Sequence, residues 1–278
     1  MTAVEEVTGQ VGALQPRQLI VSLYGLYARE HGSWLSVAAV VRLMAALGVE
    51  EPAVRSSISR LKRRGLLDAR RVDGVAGYAL TEVAQEILAD GDARIFGRRR
   101  AEQADGWLLV VFSVPESERD KRHQLRSQLT RLGFGTVAPG VWVAPGHLAD
   151  ETGEVLDRRG LASYVELFRG AHLGDVRDRV ARWWDLDALH ARYAEFLDRQ
   201  EPVRERVASG GGSAPEQAFA DYVRLLTDWR RLPYADPGRP LDLLPADWNG
   251  ARAADLFADL RVRLADPAHE HARRLIDT

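Results

Sequence analysis

EPAVRSSISRLKRRGLLDARRVDGVAGYAL, residues Glu51–Leu80, is the stretch from which the fold is read. Pro52 suits the first turn of a helix, where its missing N–H leaves no hydrogen bond unmade. Val54, Ile58 and Leu61 follow at spacings of four and three, and at about 100° per residue they share one face. Ser56, Ser59, Arg60 and Arg63 fall on the opposite face, flanked by Arg55 and Lys62. Gly65 stands where a helix would end. A recognition helix needs this division. One stripe packs on neighbouring helices; the other presents arginines to base edges and phosphates, and small serines permit close approach to the groove.

The residues after Gly65 predict a β-hairpin. Leu66 and Leu67 open a strand, Asp73-Gly74 signals the turn and Tyr78-Ala79-Leu80 return. This wing carries Arg70 and Arg71 near its tip, and Thr81 caps a further helix, TEVAQEILADG. Upstream, Leu19, Leu23, Leu26 and Tyr27 recur at helical spacing over Pro16–Glu30. A second helix starts after Ser36, buries Val40, Leu43, Met44 and Leu47, and stops at Gly48. Helix, helix, helix, hairpin, helix is the order of a winged helix-turn-helix.

The bulk composition narrows the function classes. There is no cysteine, which excludes disulfides, zinc–thiolate sites and cysteine nucleophiles. The net charge is −2. Yet Arg55, Arg60, Lys62, Arg63, Arg64, Arg70 and Arg71 face Asp68 as the one acid between Arg55 and Arg71. Such a localised basic patch points to a polyanion partner. MTAVEEVTGQ does not read as a signal peptide. No window reaches the ~18 apolar residues of a membrane span. The expectation is a cytoplasmic protein with no membrane partner, whose partner is double-stranded DNA.

After a charged stretch with Arg98-Arg99-Arg100, which could also touch DNA backbone, WLLVVFSV (Trp107–Val114) reads as a buried strand. A helix over Glu116–Leu132 follows, then a hairpin over Val137–Val143 turning at Pro139-Gly140. A short helix over Glu151–Arg159, a strand over Ser163–Phe168 and a helix over Asp175–Trp184 complete a small antiparallel α+β sandwich.

Beyond Trp183 the chain reads as helical, with Leu186, Leu189, Tyr193, Phe196 and Leu197 on one face. SGGGSAP (Ser209–Pro215) reads as a flexible loop, and PYADPGRPLDLLP as extended. A helix is expected over EQAFADYVRLLTDWRRL and another from Trp248. Trp183, Trp184, Trp229, Tyr234 and Trp248 are candidates for an aromatic pocket holding an aryl or acyl group; ordinary helix packing is the competing reading. Arg230, with Arg231 and Arg239, could meet a phosphate or simply be surface charge. His269 and His271 have the wrong spacing for a metal on one helix face and are expected to be solvated. No metal, cofactor or catalytic group is expected.

RQLIVSLYGLYARE, LGVEEPAVRSSISRLKRRGLL, GYALT and GDARIF resemble the amino-terminal domain of the PaaX family, bacterial regulators named for the phenylacetic acid degradation repressor. DGWLLVVFSVPESERDKRHQLRSQLTRLGFGTVAPGVWVAP and WRRLPYADPGRPLDLLPADWNGARAADLFADL resemble it too, so the likeness covers nearly the whole chain. It implies an α+β multidomain protein: a GntR-like winged helix over 1–97, a ferredoxin-like, Cas2-like domain over 98–184 and a helical domain over 185–278. It further implies a dimeric repressor of a catabolic operon, released by an acyl-CoA, phenylacetyl-CoA being the effector of the named family. The Cas2 likeness raises a metal-dependent nuclease as an alternative. Cas2-like nucleases carry an aspartate at the end of the first strand. Here that strand ends Phe112-Ser113-Val114-Pro115, with Glu116 only after the proline, which argues against phosphodiester cleavage. An architectural DNA-binding protein without effector is the third reading.

Overall fold

The computed structural model describes residues 14–97, 99–209 and 214–278, which form two compact units built from non-adjacent segments. The first unit draws on Met1–Phe96, Ala194–Arg231 and Gly250–Thr278, the second on Gly97–Tyr193 and Leu232–Asn249.

The first unit contains the expected winged helix. Helix α1 spans Pro16–Leu23, with Pro16 at its start. The helical reading to Glu30 needs amending: α1 passes into a π-helical turn, Tyr24–Ala28, then a tight 3₁₀ turn, Arg29–His31. The wider turn rotates the helix face, and Tyr24, Tyr27 and Ala28 all point inward, each at most 2% exposed. Strand β1 (Trp34–Ser36) leads into α2 (Val37–Ala46), where the Ser36 hydroxyl accepts from the Ala39 N–H at 3.0 Å. Helix α3 is Glu51–Arg63. Strands β2 (Leu67–Val72) and β3 (Val75–Leu80) form the wing, and β1 adds to β3, giving the order β1-β3-β2. Asp73 and Gly74 both take positive φ, 49° and 81°, as a two-residue hairpin turn requires. Thr81 then caps α4 (Glu82–Phe96) by accepting from the Ala84 N–H.

Three carboxy-terminal helices complete this unit: residues of α8 (Leu186–Ala208) from Ala194 onward, α9 (Pro215–Trp229), and α11 (Asn249–Asp277) from Gly250. From Ala218 to Trp229 every residue of α9 except Arg224 is buried, so α9 is a core helix rather than an amphipathic surface one. The loop expected over Ser209–Pro215 lies largely outside the described residues.

The second unit follows the expected α+β pattern. Strand β4 (Trp107–Phe112), α5 (Arg119–Arg131), β5 (Gly135–Ala138), β6 (Val141–Pro145), α6 (Ala149–Arg158) and β7 (Val165–Gly170) appear in that order. The sheet runs β5-β6-β4-β7 with all neighbours antiparallel, the ferredoxin-like arrangement. Leu108 and Val110 of β4 and Leu129 of α5 form the core between sheet and helices. Helix α7 (Arg177–Trp183) follows. The segment read as extended departs from expectation: it opens with a single helical turn, α10 (Leu232–Ala235), and holds a 3₁₀ turn at Leu241–Leu243.

Candidate nucleic-acid interface

Helix α3 has the two faces that its sequence demands. Val54, Ile58 and Leu61 are 1–3% exposed, whereas Arg55, Ser56, Ser59, Arg60, Lys62 and Arg63 are all exposed. Ser57, between the two serines of the outer face, is buried with the apolar stripe. Gly65 ends the helix at φ 66°, its N–H bonded to the Lys62 carbonyl. Arg55 is ion-paired with Glu51 one turn back. That contact holds its guanidinium along the helix surface and lowers its reach for an outside anion.

The wing is braced against α3. Lys62 Nζ lies 6.0 Å from the centroid of the Tyr78 ring, a cation–π distance. The buried Tyr24 hydroxyl donates to the Tyr78 carbonyl at 3.1 Å, and burial raises its pKa far above the usual phenol range. Arg70 and Arg71 are both exposed, but successive strand residues point to opposite faces. Arg71 pairs with Ala76 and shares the face of Tyr78, the one beside Lys62; Arg70 pairs with Gly77 on the other face. Arg71 is also steadied by a 2.9 Å bond to the Gly74 carbonyl. The structure therefore groups Arg71 with the basic side chains of α3 and sets Arg70 apart.

Trp34 is a part of this site that sequence reading missed. Its indole covers Gly77 and its Nε1 donates to the Arg70 carbonyl at 3.1 Å. The available signal was a glycine inside a strand, which marks close approach by another group. Of the linker arginines, Arg99 binds Asp105 at 2.8 Å and Arg100 donates to the Arg239 carbonyl, while Arg98 lies outside the described residues. Asp105 is held below the usual carboxylate range by the Glu102 N–H and by Arg99.

The effector candidates are divided between the units. Trp229 and Arg230 belong to the first, and both are buried. Trp229 stacks on Phe257 at 4.6 Å and donates to the Ile95 carbonyl. Arg230 donates to the Gln18 carbonyl at 3.2 Å. Arg231 is bound to Asp228 at 2.7 Å. Trp183, Trp184, Tyr234 and Trp248 belong to the second unit. Trp184 donates to the Gly133 carbonyl and meets the buried Arg239 guanidinium at 4.9 Å, and Trp248 packs on His190 and Tyr193. Of the six, Trp183 alone is not buried. It meets Trp107 and His172 edge-on at 5.6 and 5.8 Å.

The tail histidines are not solvated as expected. His271 is 8% exposed and lies 5.5 Å from the Phe219 ring, and His269 packs edge-on against Tyr27 at 4.9 Å. The long helix α11 continues through both, burying His271 against α9 and half-burying His269 against the π-helical turn. Glu116, the carboxylate of the nuclease alternative, accepts from Arg122 at 2.9 Å. Among the described residues no group of three or more His, Asp or Glu side chains is arranged to hold a metal ion, and no helix is long and apolar enough to cross a membrane.

Three family models tile the chain: a PaaX-like protein model over residues 15–84, the PaaX protein central Cas2-like domain over 100–180 and the PaaX-like protein C-terminal domain over 184–274. The transcriptional repressor PaaX of Escherichia coli (strain K12) is 29% identical over 259 residues, covering 90% of this chain and 80% of that protein. Among solved structures, the uncharacterized protein Rv0674 from Mycobacterium tuberculosis shares the fold with a TM-score of 0.57 at 21% identity. That match covers 94% of this chain and 100% of the other.

Proposed function

The chain belongs to the PaaX-like protein family, and we infer from that premise that it is a DNA-binding transcriptional regulator rather than an enzyme, acting as a repressor. One observation carries the reading: α3 exposes Ser56, Ser59, Arg60 and Arg63 over a stripe of buried Val54, Ile58 and Leu61, beside a wing that adds Arg71. This face fits a major groove, with arginine forks for guanine edges and serines that do not obstruct approach. Lys62 and Arg71 fit phosphates, while Arg70 lies on the other face of the wing and Arg55 is paired with Glu51. The family supports a dimer, which would place two such helices on an operator of two-fold character. An aryl- or acyl-CoA thioester that relieves repression of a catabolic operon is the effector we propose.

For the effector, the half-buried Trp183 with Trp107 and His172 is the best-supported aromatic surface, since Trp184, Trp229, Arg230, Tyr234 and Trp248 are enclosed by their own packing. Footprinting on the DNA upstream of the protein's own gene, with and without aryl-CoA thioesters, tests both halves of the reading. Protection lost on adding one thioester supports it; no protected site at all refutes it. Protection that no thioester alters would favour an architectural protein. Magnesium-dependent cleavage abolished by Glu116→Ala would instead establish the nuclease.

A further inference from the structure

Helix α2 lies directly before the recognition helix and exchanges arginine caps with the carboxy-terminal helices. Arg224, the exposed residue of the otherwise buried core stretch of α9, donates from Nη2 to the Leu47 carbonyl at 3.1 Å. Leu47 is the residue that closes α2. In the other direction Arg42, within α2, donates from Nε to the Leu275 carbonyl at 2.8 Å, in the last turn of α11. Both acceptors lie where helix carbonyls lack a partner of their own and where the helix dipole favours a cation.

Position gives these two contacts a consequence. Only Gly48, Val49 and Glu50 separate Leu47 from the first residue of α3. That link is tight: Gly48 takes φ 77°, the Val49 N–H bonds back to Met44, and the Glu50 carbonyl accepts from Ala53. A shift of the Leu47 carbonyl is therefore passed to α3 with little slack. Helix α9 is also fixed to α1, through Thr227 to Ser22 at 2.7 Å and Arg230 to Gln18, and α1 packs against α3.

We propose that Arg224 and Arg42 are positioning residues through which α9 and α11 set the α2–α3 elbow, and so the angle at which the recognition helix meets DNA. The proposal rests on the reading of α3 as that helix. It makes the carboxy-terminal helices the frame of the DNA-binding module, so that a rearrangement of α9 or α11 would alter operator recognition without touching a DNA-contacting side chain.

The test compares full-length wild type with Arg224→Ala, Arg224→Lys and Arg42→Ala, by anisotropy on operator and random duplexes and by amide exchange across Gly48–Val54. Both alanine variants are expected to weaken operator binding about five- to tenfold, the scale of a modest coupling. Random DNA should change at most about twofold, and amide exchange in the elbow should quicken. Arg224→Lys, which keeps a donor, should recover part of the loss. Equal loss on both duplexes would reduce the arginines to general charge and overturn the proposal, as would unchanged affinity. If wild type prefers no DNA, the reading of α3 fails instead. The amide exchange then still decides the linkage: an unaltered elbow in both alanine variants overturns it.

Discussion

Trp34 and Gly77 are stacked partners: the indole of Trp34 lies across the bare backbone of Gly77 and donates from Nε1 to the Arg70 carbonyl, 3.1 Å away on the next strand. One side chain of β1 thereby spans β3 and bonds to β2, tying the three strands together on the face opposite Tyr78. A Cβ at position 77 would overlap both the Trp34 ring and the Leu35 carbonyl. The second of these is backbone and cannot rotate away. Gly77→Ala should therefore destabilise the protein by about 1–3 kcal/mol, the range of overpacking. Trp34→Ala should loosen the wing and weaken DNA binding while α3 stays intact. Urea melts read the first effect and anisotropy the second; an unchanged midpoint for Gly77→Ala would show that the strands can slide apart freely.

The two wing arginines should not be equivalent. Arg71 shares the Tyr78 face with Lys62 nearby, and Arg70 points the other way. Removing a phosphate contact reduces the slope of log affinity against log salt by about 0.9 on duplex DNA. Arg71→Ala is expected to show that reduction, and Arg70→Ala a clearly smaller one. A salt titration of both variants decides it, and equal slopes would mean that the wing lies flat on the backbone with both faces engaged.

Much of this interface was legible because it rests on local rules. The spacing of Val54, Ile58 and Leu61, Gly65 at positive φ, the Asp73-Gly74 turn and the Thr81 cap are each fixed by a few adjacent residues. The α+β order of the second unit was legible for the same reason, since its strands and helices alternate with their own turn signals; its ferredoxin-like topology was implied only by the family resemblance. The bonds from Arg224 to Leu47 and from Arg42 to Leu275 were not, because each joins residues 177 and 233 positions apart. Nor does any periodicity reveal that α9 is a core helix of the DNA-binding unit. The burial of His271 is not legible locally, because the ends of chains are commonly solvated and the Phe219 ring that covers it is 52 positions away. For Trp34 the cue is Gly77 inside a strand, which marks a close approach without saying which residue makes it.

Acid should weaken the first unit through His271. Burial against α9 lowers its pKa, Arg274 adds to that, and Glu216 opposes it. A histidine takes its proton near pH 6.5 in the unfolded chain, and His271 does so at a lower pH when folded. The unfolded state thus binds more protons as pH falls below about 6.5, and linkage makes stability fall with it. The loss should level off below the folded pKa. His271→Gln removes the titration, so its stability should be flatter than wild type between about pH 7 and pH 5. Parallel curves for the two proteins would place the acid sensitivity elsewhere.

Asp228 should be the most costly single carboxylate to remove from α9. Its side chain is 2% exposed and accepts from Arg199 at 2.9 Å, from Arg231 at 2.7 Å and from Gln200 at 3.3 Å. Arg199 is half-exposed, so water can replace its partner. Arg231 is only 11% exposed, and its guanidinium would lose the carboxylate that faces it. Breaking a buried pair by deleting one partner costs about 3–5 kcal/mol, mostly because a charge is left without compensation. Asp228→Ala is expected near the lower end, since Arg199 can turn to solvent. Asp228→Asn keeps an acceptor for Arg231 but loses the carboxylate charge, so it should recover only part of the loss. Urea denaturation of the full chain measures both. Equal losses for alanine and asparagine would mean that the charge, not the acceptor geometry, holds Arg231 in place; no loss for either would mean that the cluster contributes nothing to the fold.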